Sequence, residues 1–327
     1  MTPLAARRIL VIKLSALGDV IQALAPLKAI RAAHPDARIT WLTTPPFAEL
    51  AGLCPYADTV WTGGRPRGPA AWLSLIAQVR AGRFDLVYDL QGVARTSLLH
   101  AALGPRPPLW SGPARGASYR TPDPKRWAVH TMDRFAAQLR QTGALGAGEA
   151  IAPDLSWVRA RLGDPPELQP AHFGLSAPYA LLVPGASAAH GGAKKWPVAQ
   201  FATIAAALAA RGLRPAVIGG PAESALAGAI RAGVDAAVDL TGRTSLFALI
   251  ALAERAALAI GNDTGPMHIA AAAGAPSVML FPGFSDPARF APRGPHVRAL
   301  QAERLADLPV GPVLDAAASL WAPLNAS

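Results

Sequence analysis

The sequence predicts an α/β protein made of two units, each built around a parallel sheet. The 327 residues exceed the length of one ordinary domain, which favours two units with a core each. Short β-branched runs alternate with stretches of helical apolar spacing, and this alternation is typical of a parallel sheet. Residues 162–178 contain four prolines and no periodicity, so we expect them to link the units.

The first unit, residues 1–161, begins with a strand, a loop and a helix. A β-branched run at 8–13 predicts the strand, and apolar residues then recur at helical spacing: Val20, Leu24, Leu27 and Ile30. Gly18 allows a tight turn, and Asp19 lies near the helix start at the carboxyl end of the strand. Asp19 therefore either caps the helix or faces the crevice as a general base.

Further strands and helices follow in the first unit. We predict a helix at 71–80 and strands at 38–42, 59–61 and 84–90. The last strand ends in Gln91 and Gly92, again placing polar groups at a carboxyl end. Gln91 is interpreted either as a turn residue with a capping role or as part of a site.

The second unit, residues 179–312, repeats this alternation. We predict strands at 179–183 and 214–220, a helix from about 198, and a helix that ends near Glu254. Lys194 lies close to a helix start, where positive charge opposes the helix dipole, so a nearby anion would account for it. A last helix is predicted at 313–320.

The densest motif is the stretch 259–281, which predicts strand, turn, helix and strand, the first strand being the apolar residues 256–260. Asp263 or Thr264 can cap the helix, with Pro266 in its first turn. Free backbone N–H groups at such a helix start favour an anion, so a phosphate-bearing ligand is expected there. The alternative is that Asp263 is only a cap and His268 only a packed histidine.

Composition narrows the class of protein. Hydrophobic residues make up 51% of the chain and charged residues 16%, which excludes a disordered protein. Cys54 is the only cysteine, so an intrachain disulfide and a cysteine metal cluster are excluded, and a reducing compartment fits. We see no secretory signal and no apolar run near ~20 residues, and therefore expect a cytoplasmic protein.

The net charge of +10 lies almost entirely in the first half. Residues 1–160 contain 19 of the 31 lysines and arginines and 10 of the 21 acidic residues. Residues 161–327 contain the other 12 basic and 11 acidic residues. This distribution favours an acidic substrate or an anionic membrane surface, although a solvated basic face without a ligand is the alternative. We expect no nucleic-acid partner, because zinc spacing, RNP-like runs and long basic helices are missing from the sequence.

The run Gly261-Asn262-Asp263-Thr264-Gly265-Pro266-Met267-His268, with its alanine-rich helix, resembles the signature of glycosyltransferase family nine, the bacterial lipopolysaccharide heptosyltransferases. The resemblance implies the GT-B architecture, two Rossmann-like domains with parallel sheets facing a central cleft. Residues 1–161 would bind the acceptor and residues 179–312 the nucleotide sugar. The helix in 313–327 would return to the first domain.

The resemblance also implies roles for single residues. Asp19 matches the family's proposed general base. Three positions and four arginines of a basic surface would bind the acceptor: Ser15, Gly18, Gln91, Arg65, Arg67, Arg95 and Arg120. The donor would meet a second set: Ser187, Lys194, Glu223, Thr244, Asp263, Thr264, Gly265 and His268. Residues 281–287 also resemble the family, but Phe284 departs from the family's usual order Gly-Pro-Thr-Asp-Pro.

By resemblance, the reaction is an inverting transfer of L-glycero-D-manno-heptose from ADP-heptose to the acidic Kdo/heptose inner core of lipopolysaccharide. The enzyme would lie at the cytoplasmic face of the inner membrane as a peripheral protein. No D-x-D pair with metal spacing occurs in the sequence, so we expect no metal and no cofactor. Two alternatives are a GT-B enzyme that uses another nucleotide sugar for a capsule or protein acceptor, and a non-catalytic nucleotide-binding module.

Overall fold

The computed structural model describes residues 5–123, 128–176, 178–187 and 192–321. The chain divides into two compact units, Met1–Trp157 and Val158–Ser327. Each unit has helices packed on a parallel sheet, and this confirms the predicted fold class. Within the described residues, no helix combines the length and the apolar character that crossing a membrane requires.

The sheet of the first unit has six strands among the described residues, in the order β3-β2-β1-β4-β5-β6. Every pairing in it is parallel. The strands are β1 (Arg8–Ile12), β2 (Arg38–Leu42), β3 (Thr59–Trp61), β4 (Leu86–Asp89), β5 (Leu109–Gly112) and β6 (Tyr119–Arg120). The helices are α1 (Leu17–Ala33), α2 (Ala48–Leu53), α3 (Gly68–Gly82), α4 (Ala94–Ala102), α5 (Thr131–Gln141) and, across the unit boundary, α6 (Ser156–Leu162).

The sheet of the second unit has the same topology, with the order β12-β11-β10-β7-β8-β9 in the described part of the chain. Its strands are β7 (Tyr179–Val183), β8 (Arg214–Val217), β9 (Val238–Asp239), β10 (Leu258–Asn262), β11 (Ser277–Pro282) and β12 (Val297–Ala302). Its helices are α7 (Val198–Ala209), α8 (Ser224–Arg231), α9 (Leu246–Arg255), α10 (Gly265–Ala272), α11 (Pro287–Phe290) and α12 (Val310–Ala318).

The strand before the densest motif lies two residues further along than predicted. We expected 256–260, whereas β10 ends at Asn262, because Gly261 and Asn262 continue the ladder with Met279 and Leu280. Gly261 permits close packing there, since a Cβ on it would lie 2.6 Å from the Val183 Cβ. The polar turn is therefore shorter than the sequence suggested.

The predicted linker and the predicted last helix both contain buried apolar residues. Residues 162–178 include two short 3₁₀ turns with buried Leu168 and Phe173, and the unit boundary falls earlier, after Trp157. In α12, Val313 and Ala317 lie in the core of the second unit. Residues 322–327 are outside the described chain, and the return of 313–327 to the first domain stays a prediction.

Candidate functional site

The predicted site motifs follow the central strands of the two sheets. In the first sheet, β1 pairs with β4. The next strand after β1 lies on one side of this pair, and the next strand after β4 lies on the other side. In the second sheet, β7 and β10 have the same relationship. Such topological switch points leave a crevice at the carboxyl ends of the strands, where ligands bind in open α/β sheets.

Asp19 occupies the third position of α1. One carboxylate oxygen, Oδ2, accepts a hydrogen bond from the Ala16 amide at 3.2 Å, so the residue caps the helix. The other oxygen, Oδ1, lies 3.4 Å from the Lys13 ammonium. The side chain of Asp19 is nevertheless 50% exposed. Asp19 thus combines the capping role with an accessible carboxylate, and the two interpretations of the sequence are compatible.

Lys13 was not predicted as a site residue. Its side chain is buried and also lies 3.4 Å from the Leu90 carbonyl. Burial lowers the pKa of Lys13 from its ordinary value, and the neighbouring Asp19 carboxylate opposes that shift. The available signal was a lysine directly after an apolar strand, where a buried charge requires a partner.

Gln91 ties the loop after β1 to the end of β4. Its side-chain oxygen accepts from the Leu14 amide at 2.8 Å and from the Ser15 amide at 3.3 Å. The Arg65 guanidinium donates to the Ser15 hydroxyl. Four predicted residues, Gln91, Ser15, Arg65 and Asp19, therefore surround one loop, and Gly18 lies within the same turn as the second residue of α1.

The other three predicted arginines lie apart from this loop. Arg67 precedes α3 as its N-cap, Arg95 is in the first turn of α4, and Arg120 ends the edge strand β6. All three are exposed, and within the described residues none donates a hydrogen bond to the loop around Asp19. They contribute positive charge to the same unit rather than a defined contact.

Asp89 is a second carboxylate that we did not assign. It ends β4 opposite Ile12, is buried, and accepts a hydrogen bond from the Gly92 amide at 2.8 Å. Burial raises the pKa of Asp89 to about 6, although hydrogen bonds from Gly92 and Thr96 oppose the shift. The buried group therefore titrates well above an ordinary aspartate.

Asp263 is the centre of the polar cluster in the second unit. Its Oδ2 accepts from the Lys194 ammonium and from the Ser285 hydroxyl, each at 2.8 Å, and His268 Nε2 lies 3.8 Å from its Oδ1. Burial alone would raise the pKa of Asp263, but hydrogen bonds from His268, Lys194 and Ser285 outweigh it and hold the pKa well below the ordinary value. Ser285 was not predicted.

The start of α10 presents backbone donors next to this cluster. Thr264 is the N-cap, and its hydroxyl donates to the Asn262 carbonyl at 3.1 Å rather than capping the helix. Pro266 has no amide hydrogen, and within the described residues the Gly265 amide donates to no protein acceptor. Such a helix start is suited to an anion.

Asn262 positions the loops around the cluster. It is fully buried, its amide nitrogen donates to the Pro184 carbonyl at 2.8 Å, and its oxygen accepts from the Trp196 amide at 3.1 Å. One side chain therefore fixes the end of β7 and the segment that carries Lys194. The sequence identifies Asn262 only as part of the motif, because its partners are distant in sequence.

Glu223 lies over three glycines at the ends of β7 and β8. A Cβ on Gly185 would lie 2.7 Å from the Glu223 Cγ, and one on Gly219 would lie 2.8 Å from its Cβ. Glycine at these positions is thus required for the observed place of the carboxylate. Ser187 is exposed in the segment after β7, and Thr244 is partly buried just before the N-cap of α9.

Taken over the described residues, no group of three histidine, cysteine, aspartate or glutamate side chains has the arrangement to hold a metal ion. The polar clusters instead combine one carboxylate with cationic and hydroxyl donors. Arrangements of this kind bind and orient anionic or hydroxyl-bearing ligands.

Comparisons with known proteins agree with this geometry. The chain is 27% identical over 298 residues to lipopolysaccharide heptosyltransferase 1 of Pseudomonas aeruginosa, covering 85% of this chain and 80% of that protein. Among solved structures, the glycosyl transferase family 9 protein of Veillonella parvula matches with a TM-score of 0.80, 24% identity, and coverage of 100% and 99% of the two chains. The E. coli heptosyltransferase WaaC with ADP matches with a TM-score of 0.75, 20% identity, and coverage of 94% and 98%.

These structural similarities show the fold, and the family is shown by the sequence itself. The family model for glycosyltransferase family 9 (heptosyltransferase) matches residues 72–309, which is well over half of the chain. That stretch includes Gln91, Lys194, Glu223 and the cluster around Asp263. The chain therefore belongs to glycosyltransferase family 9, the heptosyltransferase family, and is a glycosyltransferase.

Proposed function

We propose that this glycosyltransferase moves a heptose from ADP-heptose to the Kdo/heptose inner core of lipopolysaccharide, with inversion at the anomeric carbon. The family match and the names of the curated relatives support the heptose and the lipopolysaccharide acceptor. The E. coli neighbour that contains ADP supports the nucleotide. The first unit takes the acceptor and the second unit takes the nucleotide sugar.

The observation that carries the mechanism is the Asp19 carboxylate at the end of the β1 loop. Both of its oxygens are oriented, one by the Ala16 amide and one by the Lys13 ammonium, and the group is still half exposed. An oriented and accessible carboxylate is suited to take a proton from an attacking hydroxyl. In the proposed step, Asp19 takes the proton from the acceptor hydroxyl. The hydroxyl oxygen of the acceptor bonds to the anomeric carbon, and the bond between that carbon and the diphosphate oxygen breaks.

The leaving diphosphate is held by positive and N–H groups of the second unit. An ammonium has three donors, and Lys194 uses one of them on Asp263, so two remain for phosphate oxygens. The Thr264–Gly265 amides add helix-start donors, and His268 adds a ring nitrogen. Glu223 accepts from the ribose hydroxyls, while Ser187 and Thr244 contact the donor beside it.

The acceptor side uses the loop around Asp19 and the basic charge of the first unit. Ser15, Gly18 and Gln91 shape the loop, and the arginines attract the acidic inner core: Arg65, Arg67, Arg95 and Arg120. The acceptor is a lipid, so the enzyme works as a peripheral protein at the cytoplasmic face of the inner membrane. Fixed positive groups replace a metal ion at the diphosphate, and the reaction is independent of divalent metals.

The test is donor-dependent ADP release from ADP-heptose and a Kdo-lipid A acceptor in the presence of EDTA. We expect wild-type turnover and a loss on the order of a hundredfold or more in Asp19→Asn. Asp36→Asn is the matched control, because Asp36 is an exposed aspartate beyond the other end of α1. This control should retain wild-type activity.

Three other outcomes would change the proposal. Turnover only with a different nucleotide sugar would remove the heptose assignment and keep the site. Turnover that EDTA abolishes would remove metal independence. If wild type and Asp19→Asn both bound ADP equally and neither showed turnover, the protein would be a non-catalytic nucleotide-binding module.

A further inference from the structure

The outer face of α3 carries a single charge, near the end of the helix. Apart from Arg80 near its end, the helix consists of uncharged residues. Its exposed positions before Arg80 are Gly68, Pro69, Ala70, Leu73, Ser74, Ala77 and Gln78. Leu73 is 67% exposed. The solvent side of a surface helix ordinarily carries charged and polar side chains. Before Arg80 this face has only two polar side chains, Ser74 and Gln78, and it is therefore unusually apolar for a helix in contact with water only.

The neighbouring helix α4 continues this surface. Arg80 donates to the Leu103 carbonyl at 3.3 Å and to the Ala102 carbonyl at 2.9 Å, so the ends of α3 and α4 lie side by side. The inner residues of both helices share one core cluster over the sheet: Leu75, Val79, Leu99 and Leu103. Leu98 points away from that cluster and is 57% exposed. We call the exposed surface that carries Leu73 and Leu98 the apolar face.

The surroundings of the apolar face are strongly basic. Residues 59–122 contain eight arginines and two acidic residues, Asp85 and Asp89. Asp89 is buried, and Asp85 is exposed, with its Oδ2 accepting from the Arg7 and Arg8 amides. Four exposed arginines border the two helices: Arg67, Arg80, Arg83 and Arg95.

We propose that the apolar face docks on an anionic lipid bilayer, with Leu73 and Leu98 entering the boundary between headgroups and acyl chains and the bordering arginines contacting lipid phosphates. Exposed leucines flanked by cationic side chains are the features by which interfacial helices bind such membranes. This inference names the contact surface for the peripheral association in the proposed function, and it rests on that function only for the biological reason to dock.

The charge pattern favours a membrane over a second copy of the chain. Two copies related by a two-fold axis would place the same patch against itself, and arginines would then face arginines. Within residues 59–122, Asp85 is the one exposed acidic residue against eight arginines, so acidic side chains would relieve little of that repulsion. An anionic bilayer neutralises all of the bordering arginines at once.

The test is co-sedimentation of the full chain with vesicles, without donor or acceptor. We expect binding to phosphatidylcholine vesicles that contain roughly a quarter phosphatidylglycerol, and weak binding to phosphatidylcholine alone. The double variant Leu73→Glu/Leu98→Glu should bind the anionic vesicles at least about tenfold more weakly, because two apolar anchors are lost. Its thermal unfolding should match wild type, since both side chains are exposed.

Leu109→Glu is the matched control. Leu109 is 41% exposed in the same unit, but at the start of β5 and outside the apolar face, so this variant should lose far less binding than the double variant. Equal binding by wild type and the double variant would overturn the proposal, because arginines alone would then explain the attraction. A vesicle-independent change in sedimentation mass on substitution would also overturn it and indicate a protein partner.

The activity of the same variants separates this inference from the proposed function. The double variant should keep wild-type ADP release with an acyl-free Kdo oligosaccharide acceptor and lose it with Kdo-lipid A in anionic vesicles. No release from wild type with either acceptor would count against the proposed function, while the vesicle measurement would still decide the docking surface.

Discussion

The ammonium of Lys13 lies 3.4 Å from a carboxylate oxygen of Asp19, although Lys13 is buried and Asp19 is half exposed. The pair therefore connects the interior of the first unit to its accessible carboxylate. The Ala16 amide holds the second oxygen of Asp19, so the carboxylate is oriented from two directions. The first prediction tests whether Lys13 orients Asp19 in the reaction.

Lys13→Met should lower kcat on the order of tenfold while the KM for the acceptor changes little. The reason is that Asp19 loses the ammonium that lies beside its Oδ1, while the acceptor itself does not contact buried Lys13. The measurement is kcat and the KM for the acceptor at one pH, with thermal unfolding as the check on folding. A loss of thermal stability that parallels the fall in kcat would indicate a packing role only.

Asp263→Asn should weaken ADP binding on the order of tenfold or more, because Lys194 and His268 lose the charge that orients them. Titration calorimetry with ADP measures this. Ser285→Ala is the milder comparison, since it removes one hydrogen bond to the same carboxylate, about 1 kcal/mol. Equal ADP affinity in wild type and Asp263→Asn would contradict the proposed donor site.

The low pKa of Asp263 also has a stability consequence. A carboxyl whose folded-state pKa is below the unfolded value contributes stability above the unfolded pKa, and this contribution is lost as pH falls. The difference in unfolding free energy between wild type and Asp263→Asn should therefore be largest near neutral pH and shrink below about pH 4. A difference that stayed constant to low pH would count against the ion pair.

Asp89 should produce the opposite pH dependence. Its pKa is raised to about 6 in the folded state, so its stabilising contribution is present below the unfolded pKa and is lost as pH rises through about 6. The shift of about two pKa units corresponds to about 3 kcal/mol. Asp89→Asn should remove this pH-dependent contribution. Urea denaturation from pH 4 to 7 should then show an unfolding free energy that changes less with pH than in wild type.

Gly185→Ala should weaken nucleotide binding with little loss of stability, because its Cβ would lie 2.7 Å from the Glu223 Cγ and displace that side chain. We expect about a tenfold rise in the ADP dissociation constant if Glu223 meets the ribose. Gly228→Ala is the control. No atom lies within 4 Å of its added Cβ, and it lies within α8, so it should leave binding unchanged and stabilise by roughly 0.5–1 kcal/mol.

The sequence predicted the fold class well, and the positions of the polar motifs along the sheets follow from it for a physical reason. Parallel strands bring their carboxyl ends to one edge, so the polar residues that follow β1, β4, β7 and β10 meet near the switch points of the two sheets. Strands at 38–42, 59–61 and 179–183 have the predicted bounds, because their apolar runs end at clear turn residues.

The contacts inside each cluster could not be predicted in the same way. Ser285 reaches Asp263 across 22 residues, and Lys13 reaches the Leu90 carbonyl across 77. Local spacing contains no information on such pairs. The packing of α12 was also beyond sequence reasoning, since Val313 and Ala317 suit the core of either unit by their apolar character.

The hydrogen bonds that Asn262 makes to Pro184 and Trp196 have a consequence for how the chain can vary in length. They hold the Pro184 carbonyl and the Trp196 amide to one buried side chain, and so fix both ends of the intervening segment. Insertions or deletions between those ends need not move Lys194 away from Asp263, because Lys194 lies only two residues before the fixed amide. A single buried amide thus allows the length of this segment to change while the geometry of the cluster is retained.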